Sequence, residues 1–181
     1  YGQPLEHLIH HFGVHEGQVR LSREKVSPDQ LSKMYNLADC TINVSDAEGF
    51  GLATLESLSC GTPIIATMTG GLQEQITDGE KWFGIGIEPC SKALIGSQQV
   101  PYIFEDRISE EDIVNAMEKM YNMTEEERQK LASDGQNHVE KNYSFKKYQD
   151  QWVQTMDYVN EKYGSWEDRK EYSSWKLLKI N

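Results

Sequence analysis

Strand, loop and helix follow one another three times in the first half of the chain, and the links between them are short. Gln18–Ser22 reads as the first strand. Ser27–Pro28–Asp29–Gln30 then opens a helix with an N-cap serine, a proline at the first helical position and a capping-box glutamine. Cys40–Val44 and the continuous apolar run Pro63–Thr67 read as the next strands. Each leads through a glycine-containing loop into a helix, Leu52–Cys60 and then Leu72 to about Thr77. A run apolar at every position is buried on both faces, which is the habit of parallel strands covered by helices. The repetition therefore predicts an α/β fold, a Rossmann-like parallel sheet flanked by helices.

The remaining segments extend this reading. Leu5, Leu8, Ile9 and Phe12 recur at helical spacing, with Gly13 as the C-cap. Leu31, Met34, Tyr35 and Ala38 are expected to form the buried stripe of the helix that Ser27 opens. Gly61 closes the helix from Leu52, Asp78–Gly79 makes a turn, and Phe83–Glu88 adds a further strand. Pro89–Val100, rich in Gly, Ser and Gln, is expected to be an ordered irregular surface loop, with Pro101–Glu105 extended.

The second half reads as helical. Ser109 caps Glu110–Tyr121, and Thr124–Glu127 is the capping box of a helix to about Asn142. Ser144 caps a third helix with Phe145, Tyr148, Trp152, Met156 and Val159 along one side. Trp166, Tyr172 and Trp175 lie among charges in the tail, a density that suggests docking on a surface. Residues 1–163 read as one domain, and 164–181 as a C-terminal extension.

Charge narrows the partners. The formal net charge of −11 argues against a nucleic-acid backbone as ligand. Cys40, Cys60 and Cys90 are an odd number without metal-ligand spacing, and are expected to be small buried thiols in a reducing cytoplasm. The chain begins at Tyr1 and shows neither a signal peptide nor a run of membrane-spanning length. It reads as a piece of a longer cytoplasmic protein, with peripheral membrane association left open. His7, His10 and His11 are near one another at helical spacing. No carboxylate or cysteine joins them, so no metal site is expected.

The chemistry concentrates in Ser45–Asp46–Ala47–Glu48–Gly49–Phe50–Gly51–Leu52 and the helix that follows. A glycine-rich loop before a helix is an anion site, because free N–H groups and the positive dipole end face the ligand. In an open parallel sheet, ligands bind beyond the carboxyl ends of the strands. The loops Asp46–Gly51 and Met68–Gly71 both belong at that edge. Leu52 and Leu55 are expected to be buried, which places Glu56 beside an apolar stripe and leaning back toward the loop. A carboxylate there needs a partner. A vicinal diol such as that of a ribose can donate two hydrogen bonds to it. From spacing alone, other readings stay open: Glu56 could pair with a Lys or Arg, and Glu48 could be solvated or a helix-dipole partner.

At these residues the chain resembles the retaining GT-B glycosyltransferases of family four. The resemblance rests on Glu48–Gly49–Phe50–Gly51–Leu52, Glu56, Cys60–Gly61–Thr62–Pro63, Gly70–Gly71–Leu72–Gln73–Glu74 and Asp78–Gly79, in that order, with Tyr35–Asn36–Leu37–Ala38–Asp39 as lead-in. It is firm from about Val19 to Gly79 and looser to about Tyr163. It implies the C-terminal, donor-binding half of a GT-B fold, incomplete at its N-terminus. Residues 1–163 would then be a partial nucleotide-sugar-binding domain.

The resemblance also implies site residues. Glu48 would contact the donor sugar and help position it for transfer. The amides of Phe50, Gly51 and Leu52, next to Gly49, would meet the diphosphate or sugar. Glu56 would take the ribose diol, Gly70 and Gly71 would let a turn pass close to the donor, and the loop around Val26 and Ser27 would hold the base. An Arg and a Lys for the diphosphate, and the N-terminal acceptor domain, would lie upstream of Tyr1. Ile85–Glu105 does not match the family pattern.

The implied reaction moves a glycosyl group from a nucleoside-diphosphate sugar to a hydroxyl of a sugar, lipid or protein acceptor. Backbone amides and cations can stabilise the leaving diphosphate without a metal; no D-x-D pair is found, and no cofactor is expected. This piece alone would be inactive. Two other classes compete: a nucleotide-sugar-binding module without turnover, and a GT-B-like nucleotide-sugar epimerase. Two-carboxylate glycoside hydrolysis by Glu48 and Glu56 ranks below these, because a hydrolase needs no phosphate-type loop.

Overall fold

The structure, a computed structural model, describes residues 4–165 and 167–170. The chain divides into two compact units, Tyr1–Leu31 and Ser32–Asn181.

In the first unit, α1 (Leu5–His11) ends where Phe12 takes the C-cap and Gly13 turns left-handed at φ +69°. The expected strand at Gln18–Ser22 does not form, and the segment is turn and coil. A strand persists only when its backbone groups find a ladder partner, and none is present for this segment among the described residues. Val19 and Leu21 remain exposed. The capping box does form. The Ser27 amide donates to Gln30 Oε1 at 3.0 Å, and the Gln30 amide donates to Ser27 Oγ at 3.3 Å. It opens α2 (Pro28–Leu37).

The second unit is built on three parallel strands in the order β1 (Thr41–Asn43), β2 (Ile64–Thr67), β3 (Ile85–Ile87). Thr41 pairs with Ile64, and Ile65 pairs with Ile85. The helices α3 (Leu52–Ser59) and α4 (Leu72–Ile76) connect the strands. After β3 come α5 (Glu110–Asn122), α6 (Glu125–Tyr143) and α7 (Phe145–Tyr163). Every residue of β2 is buried, as its unbroken apolar run predicts. Its side chains alternate between two cores. Ile64 and Ala66 pack with Leu58, Leu72, Ile76, Phe83 and Val139, while Ile65 packs with Ile85, Ile87, Ala116 and Met120. Each Leu or Ile wholly removed from water stabilises the fold by roughly 1.5–3 kcal/mol. These two cores hold the loops at the strand ends in place.

The stripe expected on α2 is not buried. Met34 is exposed, Tyr35 and Ala38 are half-buried, and no α2 residue enters either core. The sheet faces are already covered by α3, α4 and α6 on one side and α5 on the other.

The segment expected to be an irregular loop contains a hairpin instead. β4 (Ser91–Leu94) runs antiparallel to β5 (Phe104–Arg107), with Ser91 opposite Arg107 and Leu94 opposite Phe104. Bonds from the Ile95 amide to Ile103 O and from the Ser97 amide to Val100 O, both 2.9 Å, extend it. No β4 residue is buried, so backbone pairing holds the hairpin and no apolar alternation announces it.

The caps of the three long helices form as read. Ser109 Oγ accepts from the Asp112 amide at 3.0 Å, Thr124 and Glu127 close a reciprocal box, and Ser144 accepts from the Lys147 amide. Each such cap is worth about 1 kcal/mol. The apolar side of α7 is exposed along Phe145, Tyr148, Trp152, Met156 and Val159. Trp166, Tyr172 and Trp175 fall outside the described residues. None of the three thiols is fully buried as expected: Cys40 and Cys60 are half-buried, Cys90 beside the hairpin is exposed, and all three are free. No helix among the described residues is long and apolar enough to cross a membrane.

Candidate functional site

The loop after β1 is fixed at its root by side chains. Ser45 Oγ donates to Asn43 Oδ1 at 2.8 Å, and Asn43 Nδ2 donates to Thr54 Oγ1 at 3.1 Å inside α3. Gly51 then takes the N-cap of α3 at φ +87°, a left-handed conformation that favours glycine. A Cβ there would fall 2.3 Å from Leu72 Cδ2. No side chain caps α3. Among the described residues the amides of Phe50, Gly51 and Leu52 have no acceptor. Three unpaired donors at a positive helix end are suited to an anion.

The loop after β2 lies directly against the first. The Gly71 amide donates to Gly49 O at 3.2 Å, and Gln75 Nε2 donates to Phe50 O. A Cβ on Gly71 would stand 2.6 Å from Phe50 O. Gly70 and Gly71 thus make room for the backbone of the neighbouring loop. Gln75 is wholly buried, and its Oε1 has no partner among the described residues.

Glu48 is half-buried in the first loop, and its carboxylate has no hydrogen-bond or ion-pair partner among the described residues. Glu56 stands one turn into α3 but not in the expected setting. Leu52 is 68% exposed, Leu55 is half-buried and Glu56 is exposed; Thr54, Ser57 and Leu58 form the buried face. The helix is rotated from its apolar pattern because its hydroxyls are satisfied inside. Thr54 accepts from Asn43, and Ser57 Oγ donates to Thr62 O at 3.1 Å. Glu56 therefore carries no burial penalty, and Tyr35 OH donates to its Oε2 at 3.0 Å. Burial, and then the Glu56 carboxylate, push the Tyr35 hydroxyl up to about 12, so it stays a donor at neutral pH.

The structure brings Glu48, Gly49, Phe50, Gly51, Leu52, Gly70 and Gly71 into one two-loop assembly with Glu56 on the helix beneath it. Val26 and Ser27 belong to the first unit, where Ser27 is engaged in its capping box. Two cavities of the second unit leave these carboxylates out. One of about 610 Å³ lies beside Cys40, Ile42, Met117 and Tyr121. Another of about 620 Å³ lies beside Met68, Gln73 and His138. Among the described residues no group of three His, Cys, Asp or Glu is placed to hold a metal ion.

Gln75 and Arg107 join the site without a motif to mark them, and Tyr35 and Asp46, which lie within quoted motifs, take parts that the motifs do not assign. The Asp106 amide donates to Asp46 O at 2.7 Å, and Arg107 Nη1 stands 3.1 Å from Asp46 Oδ2. Arg107 Nη2 also meets Glu105 Oε2 at 2.7 Å. Asp46 and its partners on the hairpin are about sixty positions apart in the chain, and no local pattern links them.

A parallel sheet with glycine-rich loops leading into helices at its carboxyl edge is a Rossmann-like α/β arrangement, whose ligands bind beyond the strand ends. Residues 2–138 match the family Glycosyl transferases group 1, and the chain belongs to that family. It is 49% identical over 53 residues to a D-inositol 3-phosphate glycosyltransferase of Acidothermus cellulolyticus, a match covering 29% of this chain and 12% of that protein. The match thus spans a small part of that relative's length. The fold is that of a GT-B C-terminal domain. The C-terminal domain of a glycosyl transferase group 1 family protein (LpcC) from Francisella tularensis superposes with a TM-score of 0.56 at 26% identity, covering 78% of this chain and 61% of that one. Anabaena Alr3699/HepE, solved in complex with UDP and glucose, superposes with a TM-score of 0.64 at 18% identity, covering 85% of this chain and 35% of that one.

Proposed function

We propose that the chain supplies the donor-binding half of a longer retaining glycosyltransferase, which moves a glycosyl group from a nucleoside-diphosphate sugar to an acceptor hydroxyl. The observation that carries this reading is the pair of fused loops. They hold three unpaired amides at the start of α3, with the unpartnered Glu48 carboxylate in the same loop. A diphosphate leaving group gathers negative charge as the glycosidic bond breaks. Fixed amides stabilise that charge without reorganising at the moment of reaction. Glu56 offers its second oxygen to a ribose hydroxyl while Tyr35 holds the first. Glu48 accepts from hydroxyls of the sugar and orients it for transfer. The D-inositol 3-phosphate glycosyltransferase match and the UDP and glucose of the Anabaena complex support a nucleotide-sugar donor.

The test is a calorimetric screen of UDP-, GDP- and ADP-sugars against the full-length protein, followed by an acceptor assay with the donor that binds. Saturable binding of one donor and of its nucleoside diphosphate is expected. Absence of binding across all three bases would sink the reading. Epimerised donor in the absence of acceptor would replace transfer with isomerisation.

A further inference from the structure

The β4–β5 hairpin reaches back to the loop that carries Glu48. Its second strand ends in Glu105–Asp106–Arg107, and all three residues serve this contact. The Asp106 amide donates to the Asp46 carbonyl at 2.7 Å. The Arg107 guanidinium spans two carboxylates, Asp46 at 3.1 Å and Glu105 at 2.7 Å. The far end of the same loop is tied to the second loop through Gly49 O and Phe50 O. The stretch between, Ala47–Glu48, makes no hydrogen bond or ion pair of its own among the described residues, and the Glu48 carbonyl packs against Gly70. Its course depends on that packing and on what holds Asp46 on one side and Gly49 on the other.

We propose that Arg107 is a positioning residue for the donor site: by gripping Asp46 it sets the course of the loop, and with it the direction of the Glu48 carboxylate. Among the described residues Arg107 makes no hydrogen bond or ion pair with the loop amides or Glu48, so it acts through Asp46. Its Nη1 also donates to Asp106 O at 3.1 Å and its Nη2 to Glu105, which holds the planar fork among three acceptors. Arginine suits this geometry, whereas a lysine offers a point charge to one of them. The hairpin is then a brace for the site.

The inference rests on the donor-binding reading, and two measurements separate their fates. Hydrogen–deuterium exchange on the full-length protein needs no ligand. In Arg107→Gln the Asp106 and Gly71 amides, which donate to Asp46 O and Gly49 O, should exchange at least about tenfold faster, while those of β2 and β3 stay protected. Asp46→Asn should reproduce the change, and the double variant should add little to either single one. With UDP-glucose, or whichever donor the screen selects, Arg107→Gln should lower kcat about tenfold with KM within about twofold, and Arg107→Lys should restore part of it. Unchanged exchange of the Asp106 and Gly71 amides overturns the brace. Faster exchange with unchanged kcat overturns the positioning role. Loss of protection throughout β2 and β3 would make Arg107 a general stabilising residue and also overturn it. If the unaltered protein transfers no sugar, the donor-binding reading falls and takes the positioning role with it, while exchange still decides whether the brace exists.

Discussion

A Cβ placed on Gly70 would lie 1.7 Å from the carbonyl oxygen of Glu48. That oxygen belongs to the main chain of the other loop and cannot swing aside as a flexible side chain would. Gly70 is also left-handed at φ +49°. Gly70→Ala should therefore destabilise the full-length protein by about 2 kcal/mol or more, combining strain with overpacking. Gly79→Ala is the comparison. It shares a positive φ, +90°, but has open space around it, so it should carry backbone strain alone, about 1–2 kcal/mol, and less than Gly70→Ala. Equal urea midpoints for the two variants would show that the loops are not in contact.

Glu56→Ala in the full-length protein should weaken nucleoside diphosphate binding by more than about 1 kcal/mol, the usual loss for charge-assisted hydrogen bonds. Tyr35→Phe removes the bond that steadies Glu56, with a longer one to Ala53 O at 3.4 Å. It should weaken binding in the same direction and by less, about twofold to fivefold. Isothermal titration calorimetry decides both, and an unchanged affinity in Glu56→Ala would remove the ribose role.

Glu48→Gln keeps the size and removes the charge. Nucleoside diphosphate affinity should stay within about twofold, while kcat for transfer falls by about tenfold or more, as for other interactions realised in the transition state. Steady-state kinetics with the donor found by screening is the check. Normal turnover would strip Glu48 of its part in transfer.

Burial pushes the Cys40 thiol from its ordinary 9.0 up to about 11. The folded chain thus holds this proton at a pH where the unfolded chain has lost it. The stability linked to it is complete below about pH 9 and is lost as pH rises through about 11. Urea midpoints of the unaltered protein should fall over that window, and Cys40→Ala should fall less steeply. Parallel declines would count against the burial of the thiol as the cause.

Elements with a strong local signature are legible in the residues alone. β2 needs only its unbroken apolar run, and the caps at Ser27, Ser109, Thr124 and Ser144 need only residue types three apart. The phase of α3 is not legible, because Thr54 and Ser57 count as polar in any pattern, yet each is buried with a hydroxyl partner. The consequence reaches the site, where Glu56 is exposed and held by Tyr35 rather than set beside an apolar stripe. The β4–β5 hairpin leaves no trace in the pattern because no residue of either strand is fully buried and β5 is mostly charged, Phe104–Glu105–Asp106–Arg107. Of the site, the glycines and glutamates are visible as a motif. The ties of Asp46 to Arg107 and of Gln75 to Phe50 join distant positions, which a linear reading cannot bring together.

The bonds from Gly71 to Gly49 and from Gln75 to Phe50 have a practical meaning for anyone redesigning these two loops. A library that randomises positions 46–51 while keeping 68–75 unchanged searches shapes that the second loop rejects on contact. Varied together, the two stretches behave as a single exchangeable cassette, and grafting it from a relative whole should succeed where piecemeal substitution fails.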